Sequence, residues 1–266
     1  MKVAIIGFGN MGKTYANSFI SSRFIKTSDI YAFVKENNEV SNLGLIPVEN
    51  YISSASAILH DFDIVILSVK PQDFSTVAKQ IKPFLKESQL ILSVMAGVTI
   101  DTISNELNCS KIVRSMPNIP TQIGQGMTVF TASSTVDRKE LFIIQNLINT
   151  TGKSVYVEDE SLINAATAIS GSGPAYVFYF MQSMINAAVE LGFNESEAEL
   201  LVNQTFRGSV SIQNSANLSN NDWIKKVTSK GGTTESALSV FEKNNLEKTI
   251  IEGILAANKR AIELGS

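Results

Sequence analysis

Apolar residues in the first half of the chain fall into short, dense runs. Val3–Ile6, Ile30–Val34, Ile64–Val69 and Leu90–Val94 are rich in Ile, Val or Leu and lack clean polar alternation. That is the pattern of parallel strands buried on both faces. Met11–Ser22, Ala55–His60 and Phe74–Leu85 are the expected crossover helices between them. Lys111–Arg114 and Gly126–Phe130 read as later strands, and Arg138–Thr150 as a helix. Strands alternating with helices predict an α/β fold with a doubly wound parallel sheet.

The pattern changes after about Val157. Strand signals stop, and Ser161–Ile169, Pro174–Leu191, Glu195–Ala216 and Thr234–Leu264 have helical composition. Asn220–Gly232 reads as a polar, turn-rich link between them. Two domains are therefore expected, 1–157 with the sheet and 158–266 all-helical. Pro174–Leu191 carries Ala, Val, Phe, Tyr, Met and Ile on nearly every face, so it must be buried. A helical domain of about one hundred residues does not easily surround such a helix alone. A second copy of the chain would complete its core; the alternative is cover by its own neighbours.

Composition narrows the functional classes. Net charge is −3, and the 22 basic residues are spread along the chain, with no stripe suited to nucleic acid. Cys109 is the single cysteine, so no disulfide can form within one chain. The apolar run at the start is too short for an export signal, and Gly173–Phe193 is too polar for a membrane span. A cytoplasmic location without membrane contact is the expectation. No metal site is expected.

Gly7-Phe8-Gly9-Asn10-Met11-Gly12 matches G-x-G-x-x-G, directly after the first strand and opening the first helix. That context is what a dinucleotide turn requires. Gly7 permits the tight turn, Gly9 lets the backbone approach a pyrophosphate, and Gly12 lets helix and strand pack closely. The helix start then offers free N–H groups and partial positive charge to phosphates. A merely structural glycine turn is the competing reading. The second strand runs into Lys35, where a cation suits a 2′-phosphate, so NADP(H) is preferred with NAD(H) as the alternative. Glu36 beside it pulls the other way. Ser68-Val69-Lys70-Pro71 and Val94-Met95-Ala96 end two further strands, where ligands of such sheets bind.

Two Gly/Ser turns precede helices in the second half. Ser170–Tyr176 (SGSGPAY) suits a helix start with Pro174 in the first turn and Ser172 or Gly173 as cap. Thr228–Glu235 (TSKGGTTE) offers N–H groups to an anion and hydroxyls to a substrate. By themselves both read as helix caps.

Taken together, GFGNMG at 7–12, SVKPQ at 68–72, SVMAGVT at 93–99, IVRSMPNIP at 112–120, SGSGPAY at 170–176 and VTSKGGTT at 227–234 resemble the pyrroline-5-carboxylate reductase family. The pieces stand in the family's order and span essentially the whole chain. The resemblance implies a Rossmann-type domain followed by an all-helical dimerisation domain, with dimers that often assemble into rings. It implies reduction of 1-pyrroline-5-carboxylate to L-proline, the last step of proline synthesis, with NAD(P)H. It places the substrate carboxylate on Gly231, Gly232, Thr233 and Thr234. Thr234 faces the ring nitrogen as the catalytic hydroxyl, and Glu160 lies near the ring. Cofactor contacts map onto Gly7, Phe8, Gly9, Asn10 and Met11, onto Ser68 to Pro71, and onto Val94, Met95 and Ala96.

The chain departs from the family at Lys230, where the common loop has proline, which loosens the loop and adds a cation. Relatives also use an asparagine in the linker before the third of these strands, and Asn50 is a candidate for it. The sole histidine, His60, ends an expected first-half helix and is a poor candidate acid. An alcohol is too weak an acid for the task, so Thr234 reads as a hydrogen-bond donor, with the proton drawn from solvent. Glu160 would stabilise a transient iminium charge or bind the product ammonium; the competing reading is an acid at a helix N-terminus. A related Rossmann-plus-helices dehydrogenase would need a catalytic lysine, for which Lys225 and Lys226 are the candidates. A non-enzymatic regulatory relative is a further alternative.

Overall fold

The computed structural model describes residues 1–34 and 45–264. Lys35 and Glu36 lie outside the described residues. The sheet contains β1 (Val3–Ile6), β2 (Ile30–Phe33), β3 (Tyr51–Ile52), β4 (Ile64–Leu67), β5 (Leu90–Ser93), β6 (Ile112–Met116), β7 (Gly126–Ala132) and β8 (Gly152–Tyr156). Their spatial order is β3-β2-β1-β4-β5-β6-β7-β8. β3 through β6 pair in parallel, β7 runs antiparallel to β6, and β8 is parallel to β7. The sheet is thus doubly wound as expected but mostly, not wholly, parallel. The reversal needs no crossover helix, because antiparallel neighbours can be joined by a short link.

The dense apolar runs form these strands because both faces are covered. Val3, Ile5, Ile66 and Leu92 pack with Tyr15 and Phe19 of α1 (Asn10–Ser21) and Ile144 and Leu147 of α4 (Arg138–Asn149). Ala4, Ile6, Leu67 and Ile91 pack on the other face with Phe74 and Ile81 of α2 (Phe74–Ile81) and Ile103 and Leu107 of α3 (Ile100–Leu107). Alternate residues of one strand therefore feed two cores. Each fully buried large side chain contributes about 1.5–3 kcal/mol against the entropy of ordering it. α4 begins at a capping box in which Asp137 and Glu140 each accept the other's backbone N–H.

After β8 no strand occurs among the described residues. α5 (Ser161–Ala166) runs into a π-turn at Thr167–Gly171, closed by Ser172 N–H donating to the Thr167 carbonyl at 2.8 Å. α6 (Gly173–Glu190), α7 (Glu195–Ser215), α8 (Asn220–Val227), α9 (Thr233–Lys243) and α10 (Leu246–Glu263) follow. The chain forms two compact units, Met1–Ser172 with Ala257–Ser266, and Gly173–Ala256.

Several expectations are corrected. Ala55–His60 is not a crossover α-helix; the region holds a 3₁₀ turn at Ala57–Asp61. Asn220–Gly232 is not all turn, because Ser219 and Asp222 form a capping box that starts α8. Thr234–Leu264 is two helices, broken at Asn244-Asn245, where Asn245 takes φ +53°. α6 has no buried residue within the single chain, and Tyr179 is 78% exposed. In the single chain its neighbours within the helical unit leave it uncovered.

Candidate active site

The strand order places a topological switch between β1 and β4, since the chain leaves β1 toward β2 and later returns on the other side. The crevice beyond the carboxyl ends of such strands is where ligands of open α/β sheets bind. Gly7–Gly12 follows β1 at this edge, and Ser68–Pro71 follows β4.

Gly7 has φ +90°, and a Cβ there would lie 2.8 Å from Val69 Cγ1. A Cβ on Gly12 would lie 2.3 Å from the Gly7 carbonyl oxygen and 2.9 Å from Ser68 Oγ. A Cβ on Gly9 would meet nothing within 4 Å. Gly7 and Gly12 are thus consumed by internal packing, while the backbone at Gly9 stands open to an approaching group. Gly9 caps α1 without a side-chain bond, and the first helical backbone bond runs from Lys13 N–H to the Gly9 carbonyl at 3.0 Å. The N–H groups from Phe8 to Gly12 have no backbone partner among the described residues. Free donors, an open backbone and a helix N-terminus fit a pyrophosphate-bearing cofactor.

The other proposed cofactor residues divide into two kinds. The Phe8 ring is buried, edge-on to Tyr51 at 5.7 Å between centroids, so only its backbone faces the turn. The Met95 side chain is likewise core. Ser68 donates its hydroxyl to the Gly7 carbonyl, bracing the turn, and its N–H donates to the Ile6 carbonyl at 2.9 Å. Asn10, Lys70 and Pro71 are exposed, and Met11, Val69, Val94 and Ala96 are partly so. Asn50 is buried and spends its amide on the Ile30 carbonyl at 2.9 Å, which ties β3 to the start of β2. His60 lies in the 3₁₀ turn ahead of β4, at the amino end of the strands and away from the glycine turn.

Glu160 is held more firmly than its place at the start of α5 suggests. Its Oε1 accepts from Arg114 Nη1 at 2.8 Å and from the Ile100 N–H at 2.9 Å. It therefore does not cap its own helix; it closes the N-terminus of α3. Arg114 is 1% exposed, its Nη2 donates to Asn164 Oδ1 at 2.9 Å, and its Nε has no partner. A charged group so buried survives only when paired. Asn118 joins the Ser170 carbonyl, at 3.0 Å, to the Met127 N–H, at 2.9 Å, so it anchors the SGSGPAY turn. Sequence reasoning missed both roles. The available signal was a lone cation inside the apolar run IVRSM.

In the helical unit, Gly231 takes φ +72° and Gly232 caps α9 without a side chain. Gly232 N–H donates to the Ser229 carbonyl at 3.0 Å, and Ser236 N–H to the Gly232 carbonyl at 3.1 Å. The Thr233, Thr234 and Glu235 N–H groups between them have no backbone partner among the described residues. Thr234 Oγ1 makes no hydrogen bond among the described residues. This is a second site at which a helix start presents free donors to an anion. Lys225 and Lys226 are exposed, and Lys226 Nζ stands 4.9 Å from the centre of the Trp223 ring. That placement suits a surface cation and not a catalytic base.

A family model described as pyrroline-5-carboxylate reductase dimerisation matches residues 160–264. A second, described as NADP oxidoreductase coenzyme F420-dependent, matches residues 2–97. The pyrroline-5-carboxylate reductase of Staphylococcus haemolyticus is 32% identical over 266 residues, covering 99% of this chain and 98% of that protein. The chain belongs to the pyrroline-5-carboxylate reductase family. Among solved family structures, the Plasmodium falciparum pyrroline carboxylate reductase with NADP bound superposes with a TM-score of 0.90 at 29% identity, covering 100% of this chain and 98% of that one. The Coxiella burnetii pyrroline-5-carboxylate reductase gives 0.89 at 30% identity, with the same coverage. The family resemblance read from the short motifs therefore extends along the full length of the chain.

Proposed function

We propose that this chain reduces 1-pyrroline-5-carboxylate to L-proline with hydride from NAD(P)H. The observation that carries the reading is a pair of helix starts with free N–H groups, Phe8–Gly12 and Thr233–Glu235, in a chain of this family. One suits a pyrophosphate and the other a carboxylate. The N–H groups of Gly231 and Gly232 are spent inside their own loop, so these two glycines serve the substrate site by shaping it. We propose residues 1–157 as the cofactor domain and 158–266 as the dimerisation and substrate domain. Gly7 to Met11, Lys35, Ser68 to Pro71 and Val94 to Ala96 are assigned to the cofactor. Ser68 acts there by bracing the turn, and Phe8 and Met95 act through their backbones.

A bound nicotinamide would supply the hydride for the imine carbon, and the proton for the ring nitrogen would come from water. The free N–H groups of Thr233 and Thr234 hold the carboxylate. The Thr234 hydroxyl donates to the ring nitrogen and orients it; no residue of this loop is an acid strong enough to protonate it. Glu160, fixed by Arg114 and the Ile100 N–H, offers an oriented negative charge to the iminium or to the product ammonium. Holding both reactants in register supplies much of the acceleration.

NADP(H) is proposed over NAD(H), on the cation at Lys35 and on the relative solved with NADP bound. The active form is proposed to be a homodimer joined through helices such as α6, with rings of dimers as its larger assembly, in the cytoplasm and without nucleic acid. No helix among the described residues is long and apolar enough to cross a membrane. The decisive test follows NADPH oxidation with pyrroline-5-carboxylate, then with Thr234→Ala. Turnover by the wild type and a kcat fall of roughly ten- to a thousandfold in the folded variant are expected, the scale of one oriented donor. An unchanged kcat removes Thr234 from the mechanism. A KM for NADH equal to or below that for NADPH reverses the cofactor preference.

A further inference from the structure

Glu235 is exposed, yet its carboxylate reaches back along the chain. Its Oε2 accepts the Gly231 N–H at 2.6 Å. In an ordinary capping box the third residue of a helix takes the N–H of the cap residue itself. Here the Gly232 N–H is already given to the Ser229 carbonyl, so Glu235 reaches one residue further. The dipeptide it clasps is Gly231-Gly232, which has more backbone freedom than any other pair. Gly232 has no side chain with which to cap α9, and Gly231 is held at φ +72°. No other side chain bonds the Gly231 or Gly232 backbone among the described residues.

We propose that Glu235 is a positioning residue for the Gly231–Thr234 loop. Its carboxylate fastens Gly231 to the first turn of α9 and so fixes the free N–H groups and hydroxyl of Thr234 in one arrangement. The Gly231 N–H is consumed in that clasp, which leaves the substrate carboxylate to the helix-end N–H groups alone. The inference rests on the reading of this loop as the substrate site. It identifies a residue that touches the loop and not the reacting atoms.

The test compares Glu235→Ala, which removes the acceptor, with Glu235→Gln, which keeps an acceptor and removes the charge. A charge-assisted bond of this type is strong enough to hold a glycine loop. Glu235→Ala is expected to raise KM for pyrroline-5-carboxylate by roughly tenfold, with NADPH affinity unchanged. Glu235→Gln is expected to stay within about threefold of wild type. The Gly231 amide proton, followed by NMR, is expected to move upfield in Glu235→Ala and to hold near its wild-type position in Glu235→Gln. An unmoved Gly231 resonance, an unchanged or lowered KM in Glu235→Ala, or a Gln variant as impaired as the Ala variant overturns the proposal. A wild type that binds NADPH but does not turn over the imine defeats the functional reading instead, and the Gly231 resonance still judges the clasp.

Discussion

The sheet-bearing unit and the helical unit dispose of their apolar residues in opposite ways. Every residue of β1 is buried, and no residue of α6 is. The first unit closes two cores with its own helices. The second leaves Tyr179, Leu191, Leu200, Val210 and Leu255 exposed in the single chain. An apolar surface of that kind marks an association face. On the proposed dimer, the sheet-bearing half carries its own core and the helical half carries the association face, so damage to each should be separable.

The largest expected effect is on the helical half. Tyr179→Glu places a charge on the face that the proposed dimer would bury, at a cost of several kcal/mol. Light scattering should report a monomer where the wild type is dimeric, with NADPH binding retained. A dimer that survives the substitution would mean that α6 is not the association face. Next in size is Gly12→Ala. The new Cβ would lie 2.3 Å from the Gly7 carbonyl oxygen, which is backbone and cannot yield cheaply. A cost of about 1–3 kcal/mol is expected, weakening NADPH binding roughly ten- to hundredfold while the dimer persists. A dissociation constant equal to wild type, measured by NADPH fluorescence, would contradict the turn geometry.

The smallest effect sharpens the comparison inside the helical unit. The Ser219 hydroxyl and N–H bonds to Asp222 hold its carboxyl below the usual aspartate range. A carboxyl depressed on folding contributes stability above its unfolded pKa and loses it as pH falls through the folded value. The α8 cap should therefore persist until the pH drops below the ordinary aspartate range. Ser219→Ala, which removes the hydroxyl but keeps the backbone N–H, should raise Asp222 toward that range in an NMR titration. An identical titration midpoint in both proteins would show that the capping box does not bind the carboxylate.

Much of the first unit was legible because two-sided burial writes itself as unbroken apolar runs. β1, β2, β4 and β5 are such runs. β3 is two residues long, and β8 is the mixed segment GKSVY at the sheet's edge, so neither carries that mark. α3 carries no such mark because IDTISNEL is short and mostly polar, and its start signal is Thr99 accepting the Thr102 N–H. α8 was hidden by the same polarity. At the site, the glycine turn was legible because its constraint is local. Arg114 and Asn118 were not, because each acts through a partner that folding brings to it, whereas Glu235 acts locally on Gly231. Arg114 meets Glu160 across 46 positions, a pairing that no local pattern carries.

The reversal at β7 bears on the order of events in time. β6 and β7 are joined by the short link 117–125, whereas β1 and β4 meet only after the whole of β2 and β3 has been made. Closing a short loop costs less chain entropy than closing a long one. Contacts that are near in sequence form sooner. The β6–β7 ribbon, with α4 and β8 behind it, is therefore expected to form early, and the Gly7–Gly12 turn late. In pulse-labelled hydrogen exchange during refolding, amides of Val113–Met116 and Val129–Ala132 should gain protection before those of Val3–Ile6. The part of the molecule that reads most plainly as a dinucleotide binder would then be the last of the sheet to take shape.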